Sequence, residues 1–316
     1  MNSLFINNKA ASDISITCFG EVLWDCFADG KRLGGAPLNV CLRLNSLGIN
    51  TQIISAVGND PLGYELLAEI KSRNFSTPHN DAAIINSDFI AINSDKGTST
   101  VEVTLDKRGS ATYEIVSDTA WDNIALTPAL IDQVSSSDVF VYGSLVGRQQ
   151  ESLTTLNALI DVANFKIFDV NLRKPHYQLE TLITLMKSAD FIKLNDDELY
   201  EIAHAMGSKF NSLEQNLNFI AEQTNTAYLC VTKGQHGALL KINDNNYYNS
   251  GFLINVVDTV GAGDSFLGSL IYQLCSTTDA QYAVDFACAV GAMVAENQGA
   301  TPELSLEAIE AFINPA

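Results

Sequence analysis

The chain has 316 residues, 47% of them hydrophobic, and its 37 acids against 18 bases give a formal charge of −19. Such a length and apolar content suffice for one large domain with a full core, while the charge argues against a nucleic-acid or anionic-membrane surface and leaves a pocket unconstrained. Residues 1–13 carry neither a basic start nor a sustained apolar run, and the six cysteines stand apart with no C-x-x-C spacing, so a cytoplasmic protein with thiols in its core is expected.

Residues 14–19 alternate apolar and polar side chains, a strand pattern that stops at Gly20. Asp25 follows at the strand edge where open α/β sheets gather their ligands; its plain alternative is a solvated turn acid. The run G-G-A-P-L-N, residues 34–39, opens a helix through Val40, Leu44 and Leu47, with Gly48 as its stop. Gly34 and Gly35 let the backbone approach a ligand, Pro37 fits a first helical turn, and Asn39 offers a donor and an acceptor suited to a polyol. No phosphate-binding G-x-x-x-x-G-K-S/T occurs anywhere.

Residues 51–57 read as a second strand, followed by a turn into a helix at 58–63. Residues 82–92 and 99–105 then look strand-like, 106–109 form a hairpin turn, and 111–116 return. Antiparallel strands inside an otherwise α/β chain point to a small projecting sheet that covers a site. From Val139 onward, short strands ending in polar residues alternate with helices, down to a long helix over about 279–296 and a closing one at 304–313. The rhythm is that of a doubly wound, mostly parallel sheet.

The chain is organised around V-V-D-T-V-G-A-G-D-S-F-L-G-S-L, residues 256–270. Phe266, Leu267, Leu270, Ile271 and Leu274 mark one buried helix face, so Gly261, Ala262 and Gly263 sit where a loop enters a helix. Free N–H groups and the positive helix end there hold anionic oxygens. Asp264 is either the N-cap of that helix or a carboxylate that takes a proton from an alcohol attacking a phosphate. Asp25, Asn39, Arg173, Asn195, Glu198, Thr232, Gly234 and Asp264 would converge on one sheet edge. Each has a bland reading: Arg173 as a surface base, Asn195 and Glu198 as a reciprocal helix cap. Together they point to an alcohol substrate, a phosphate donor and a carboxylate base. In that scheme Arg173 lends positive charge, and Asn195 and Glu198 act mostly through water on Mg²⁺. The four histidines are scattered, and none is assigned a role.

The motif D-T-V-G-A-G-D at 258–264, with G-G-A-P-L-N upstream, the Asn195-x-x-Glu198 element and Thr232-Lys233-Gly234, resembles the PfkB (ribokinase-like) carbohydrate kinases over about residues 14–302. The resemblance implies a three-layer α/β/α sandwich spanning 14–316 after an extension at 1–13, with a lid built from segments about 21–36 and 82–120. It implies ATP, Mg²⁺ and often a monovalent cation, K⁺, near Asp258 and Thr259. Asp264 becomes the base and Gly261–Gly263 the anion hole, while Asp25, Gly34, Gly35 and Asn39 bind sugar hydroxyls. Asn195 and Glu198 tend the magnesium and phosphates, Thr232 and Gly234 line the nucleotide site, and adenine lies near Val256, Ala292 and Asn297. Within the family, G-E-V-L-W-D-C-F, the 113–124 stretch, Y-G-S-L-V-G-R-Q and F-D-V-N-L-R are most similar to fructokinases. Lys174-Pro175-His176-Tyr177 departs from the pattern, which leaves open another ketose or a 2-keto-3-deoxysugar acid, while Ala36-Pro37 disfavours ribose. The alternative acceptors are 2-keto-3-deoxygluconate, ribose or a nucleoside, and a binding protein without catalysis is the alternative class. The lid allows either a monomer or a homodimer.

Overall fold

The alternation at 14–19 yields the first strand, β1 (Ser15–Phe19), of a computed structural model that describes residues 9, 13–73, 85–105 and 111–315. Next come β2 (Leu23–Phe27), β3 (Gly30–Gly34), α1 (Ala36–Ser46), β4 (Asn50–Gly58) and α2 (Pro61–Ser72), then β5 (Ile85–Asn86), β6 (Ile90–Asn93), β7 (Thr100–Leu105) and β8 (Ala111–Ile115). The α/β half continues with α3 (Pro128–Ser136), β9 (Val139–Gly143), α4 (Gln150–Ile160), β10 (Lys166–Asp169), α5 (Leu179–Ser188), β11 (Phe191–Asn195), α6 (Asp196–Ala205) and α7 (Leu213–Thr224). A hairpin edge follows in β12 (Tyr228–Thr232), β13 (Ala238–Ile242) and β14 (Asn245–Asn249), and then α8 (Ala262–Ser276), α9 (Ala280–Ala295) and α10 (Leu306–Ile313).

The large sheet runs β14-β13-β12-β11-β10-β9-β1-β4-β5, with β6 also on β4. From β5 to β12 its pairs are parallel, and β13 and β14 add antiparallel strands at one edge. Both faces are covered because the buried strands alternate between two apolar cores. In β9, Val139 and Val141 join the core shared with α1 and α8. Phe140 and Tyr142 point into the other, with Leu156 of α4, Leu185 of α5 and Leu217 of α7. The outcome is a three-layer α/β/α sandwich, and among the described residues no helix is long and apolar enough to cross a membrane.

A second sheet of four strands, β3-β2-β7-β8, stands apart from the first. Its centre is a parallel pair, β2 with β7, flanked by antiparallel neighbours. Here the reading of residues 82–92 as part of the small sheet is corrected. β5 and β6 both pair with β4 in the large sheet, Ile85 opposite Thr51 and Ile90 opposite Ser55. Ile85 and Ile90 are buried, so these residues gain more by extending the main core than by joining an exposed ribbon. The small sheet is therefore built from β2, β3, β7 and β8, and the turn at 106–109 lies outside the described residues.

Candidate active site

Gly261 is the N-cap of α8, with φ 75° and no side-chain cap. A Cβ there would sit 2.3 Å from the Cβ of Ala300, so the residue needs both the left-handed backbone and the missing side chain. Asp264 is thus not the N-cap but lies in the first turn of the helix. Its Oδ2 accepts from Asn39 Nδ2 at 2.8 Å, which joins the start of α8 to the first turn of α1. The Ala262 N–H donates to Thr259 O at 3.3 Å, and no backbone carbonyl among the described residues takes the N–H groups of Gly263 and Asp264. Two donors at a positive helix end are left open.

Two cavities open on this turn. One, of about 250 Å³, is lined by Glu21, Asp25, Asn39, Arg173, Lys193 and Asp264, and is roofed by Leu23, Val101 and Ile115 of the small sheet. The other, of about 720 Å³, is lined by Gly234, Gly251, Phe252, Val256, Gly291 and Ala292 among others. Asn195, Thr232, Thr259 and Gly263 line both, so the cavities share a wall at the start of α8.

The smaller cavity is crowded with buried charge. Lys193 Nζ is 3.0 Å from Asp169 Oδ1, with both side chains buried, and lies 3.5 Å from where a Cβ on Gly263 would be. Burial pulls the Lys193 ammonium down, but Asp169, Glu198 and Asp264 more than offset it, and the group stays charged. Asp264 is pushed up by burial and by Asp169, against the Asn39 hydrogen bond, Lys193 and Arg173. Burial and Asp264 lift Asp25 to about 7, with Arg173 opposing. Glu21 also rises to about 7, through burial and Asp264, against the amides of Glu21 and Ala36 and the charge of Arg173. A carboxylate base with a raised pKa is a better proton acceptor than a surface aspartate.

Most residues singled out from the sequence line one cavity or both; four do not, namely Gly34, Glu198, Asp258 and Asn297. Gly34 lies behind Asp25: a Cβ on it would be 2.2 Å from Asp25 Oδ2, so it makes room for that carboxylate. Asp25 itself stands on β2 of the small sheet rather than at the edge of the large one. Glu198 is buried and lines neither cavity; its two oxygens accept from Leu172 N at 2.7 Å and Asn195 N at 2.8 Å. Asn195 returns the contact to Glu198 N at 2.8 Å, a reciprocal cap at the start of α6. Asp258 takes the amides of Val260 at 3.0 Å and Gly299 at 3.2 Å, bracing the loop before α8. Asn297 is exposed and donates to Met293 O at 2.8 Å, at the end of α9. Ala262 borders only the larger cavity, whereas Gly261 borders the smaller.

Sequence reasoning missed Glu21, Asp169 and Lys193. A signal existed for Lys193, a lone cation in the apolar run F-I-K-L, and for Glu21, a lone acid in F-G-E-V-L. Charges inside otherwise apolar, buried runs are rare without a partner or a task.

The pfkB family carbohydrate kinase profile matches residues 6–307. The chain belongs to this family. Among relatives of this kinase, fructokinase-2 of Solanum habrochaites is 29% identical, with 94% of this chain and 95% of that one aligned. A putative sugar kinase of Pyrococcus horikoshii is 27% identical over 76% of this chain and 73% of its own. Among solved structures, a fructokinase from Vibrio cholerae O395, in fructose-, ADP- and calcium-bound form, superposes with a TM-score of 0.81. It is 25% identical and covers 96% of this chain and 100% of that one. A putative ribokinase II from E. coli, in complex with ATP and Mg²⁺, reaches the same TM-score, 0.81, at 19% identity, which shows a shared ribokinase-like fold. The protein is accordingly an ATP-dependent carbohydrate kinase with a ribokinase-like sandwich.

Proposed function

We propose that this kinase transfers the terminal phosphoryl group of ATP to a free hydroxyl of D-fructose, giving fructose 6-phosphate. The observation that carries the reading is Asp264, steadied by Asn39 at 2.8 Å, beside a wall shared by a small polar cavity and a large apolar one. Sugar occupies the smaller cavity and the nucleotide the larger, so phosphate and hydroxyl meet at Gly263. Asp264 takes the hydroxyl proton as the oxygen attacks. The N–H groups of Gly263 and Asp264 hold the transferring phosphoryl oxygens, as an oxyanion hole does. Lys193, beside Gly263, and Arg173, on the cavity wall, add positive charge. The small sheet closes over the sugar and excludes water, which keeps ATP from being hydrolysed.

Among the described residues no group of three or more metal-ligating side chains occurs, and both Glu198 oxygens are already held by amides. This donor set fits a divalent ion that arrives on the nucleotide phosphates with its own waters, steadied from the Asn195 side, rather than one caged by protein. Bound there, Mg²⁺ would neutralise charge on the donor. Asp258 is likewise committed to two amides, so K⁺ near Asp258 and Thr259 would rest on the remaining lone pairs of that loop. Fructose is favoured by the fructokinase relatives. A sugar acid would add a further negative charge beside Glu21, Asp25 and Asp264.

ADP release from MgATP, measured across fructose, glucose, ribose, 2-keto-3-deoxygluconate and adenosine, tests the reading. Fructose leading by about tenfold or more supports it. Another sugar in the lead retires the fructose assignment and keeps the mechanism, and no turnover on any of them retires both.

A further inference from the structure

Glu21 lies in the short link between β1 and β2, 3% exposed. One of its oxygens has a structural duty. Oε1 accepts from the N–H of Ala36 at 3.3 Å, the first residue of α1, whose N-cap Gly35 offers no side chain. A helix start without a capping side chain leaves its first amides unmet, and Glu21 reaches across from another segment to take one. The other oxygen has no such duty: Oε2 is buried and finds no hydrogen-bond partner among the described residues.

Glu21 lines the smaller cavity together with Asn39, and Asn39 Oδ1 is a second buried acceptor without a partner. One N–H of the Asn39 amide is already engaged by Asp264. With Glu21 ionised, the cavity therefore offers a ligand two unmet acceptors, and buried acceptors are costly to leave unpaired. The complementary ligand brings hydroxyl donors spaced along a short chain or ring.

We propose that Glu21 is a specificity-determining residue that touches the substrate: Oε2 accepts a hydroxyl of the acceptor sugar other than the one Asp264 deprotonates, while Oε1 stays on Ala36. The inference rests on reading the smaller cavity as the sugar site. Anchored at one oxygen by a helix start, the carboxyl loses little rotamer freedom when it binds, which suits a group that must recognise one position of a polyol. The pocket around it holds Asp264, which repels it, and Arg173, which attracts it, besides the Ala36 amide.

Glu21→Gln separates the two duties. The amide oxygen can keep Ala36, and the NH₂ then presents a donor to the cavity where an acceptor stood. A residue that only caps α1 would be indifferent to this change. The expected result is a melting temperature within about 2 °C of the parent, a sugar KM raised about tenfold or more, and an ATP KM within about twofold. Monodeoxy sugars add a second readout. One analogue, lacking a hydroxyl other than that phosphorylated, should cost the parent about tenfold in kcat/KM and cost Glu21→Gln almost nothing further. Glu21→Met, similar in volume and apolar, is the second variant if Glu21→Gln does not fold; it too should lose sugar affinity, with a lower melting temperature. A sugar KM within about twofold of the parent in either folded variant, with the analogue discrimination intact, overturns the proposal. If the parent phosphorylates no sugar, the kinase reading fails separately, and calorimetric sugar binding decides: binding by the parent and not by Glu21→Gln upholds the role of Glu21. Equal binding, or none to the parent, sinks it.

Discussion

The smaller cavity is walled by charged and amide side chains, the larger mainly by glycines, methyl groups and Phe252. The first holds Glu21, Asp25, Asn39, Arg173, Lys193 and Asp264 in about 250 Å³; the second spreads Gly234, Gly237, Gly251, Gly291 and Ala292 round about 720 Å³. Hydrogen bonds reject a wrong partner steeply, because a mismatch strands a buried polar group. Apolar walls discriminate by shape and forgive small errors. In the proposed scheme, selectivity and chemistry reside in the small cavity, and the large one supplies mostly area.

Four measurements would break or sharpen that contrast. Asp264→Asn keeps the size of the side chain and an acceptor for Asn39, so both ligands should still bind while kcat falls at least about a hundredfold. Stopped-flow or coupled-assay turnover beside calorimetric binding would show it, and unchanged turnover would remove Asp264 as the base. Lys193→Met leaves the Asp169 carboxylate buried without its cation. A loss of about 3–5 kcal/mol in denaturant unfolding is expected. Asp169→Leu added to it should restore much of the stability but not turnover, which separates the structural from the catalytic share of Lys193.

Ala292→Leu intrudes on the apolar wall of the larger cavity; the ATP KM should rise roughly tenfold with the sugar KM untouched. Equal effects on both substrates would show that the cavities do not divide the work. The smallest effect concerns pH. Glu21 and Asp25, at 4.5 and 3.8 in the free state, both rise to about 7 in the fold. Between those limits the folded chain keeps protons that the unfolded chain has released, so these groups make stability fall as pH climbs from about 4 to 7 and level off above. The melting temperature of the ligand-free protein should drop by a few degrees over that window, and by less in Asp25→Asn. A flat profile in the parent, or an identical one in the variant, would show that these carboxyls are not strained by burial.

Periodicity made much of this fold legible. Residues 34–48 and 262–276 announced their helices through apolar spacing and flanking glycines, and the two ends came together as Asn39 and Asp264. What stayed hidden depends on partners distant in sequence. Nothing in residues 85–93 says whether they pair with β4 or with β7; the partner is visible only in the fold, where Ile85 lies opposite Thr51 and Ile90 opposite Ser55. α3 was likewise not foreseen, although Thr127 caps it with its side chain, and α5 entered only through the general alternation of strands with helices. Lys193 reads as a misplaced cation until Asp169, on the neighbouring strand, supplies the counter-charge. Glu198 shows the reverse: its reciprocal cap with Asn195 was visible as an alternative, and the geometry has it there, with both oxygens engaged.

The small sheet is stitched from two separate excursions of the chain. β2 and β3 leave between β1 and α1, β7 and β8 between β6 and α3, and the parallel pairing of Asp25 with Val101 sews them together. Four strands of connecting chain therefore fasten this plate to the body, where a simple hairpin insertion would have two. A plate tied at four points has fewer ways to rotate than one tied at two. One of those links, Gly35, opens directly into the helix that carries Asn39. The footing of the plate and the amide that donates to Asp264 thus share one short stretch of chain.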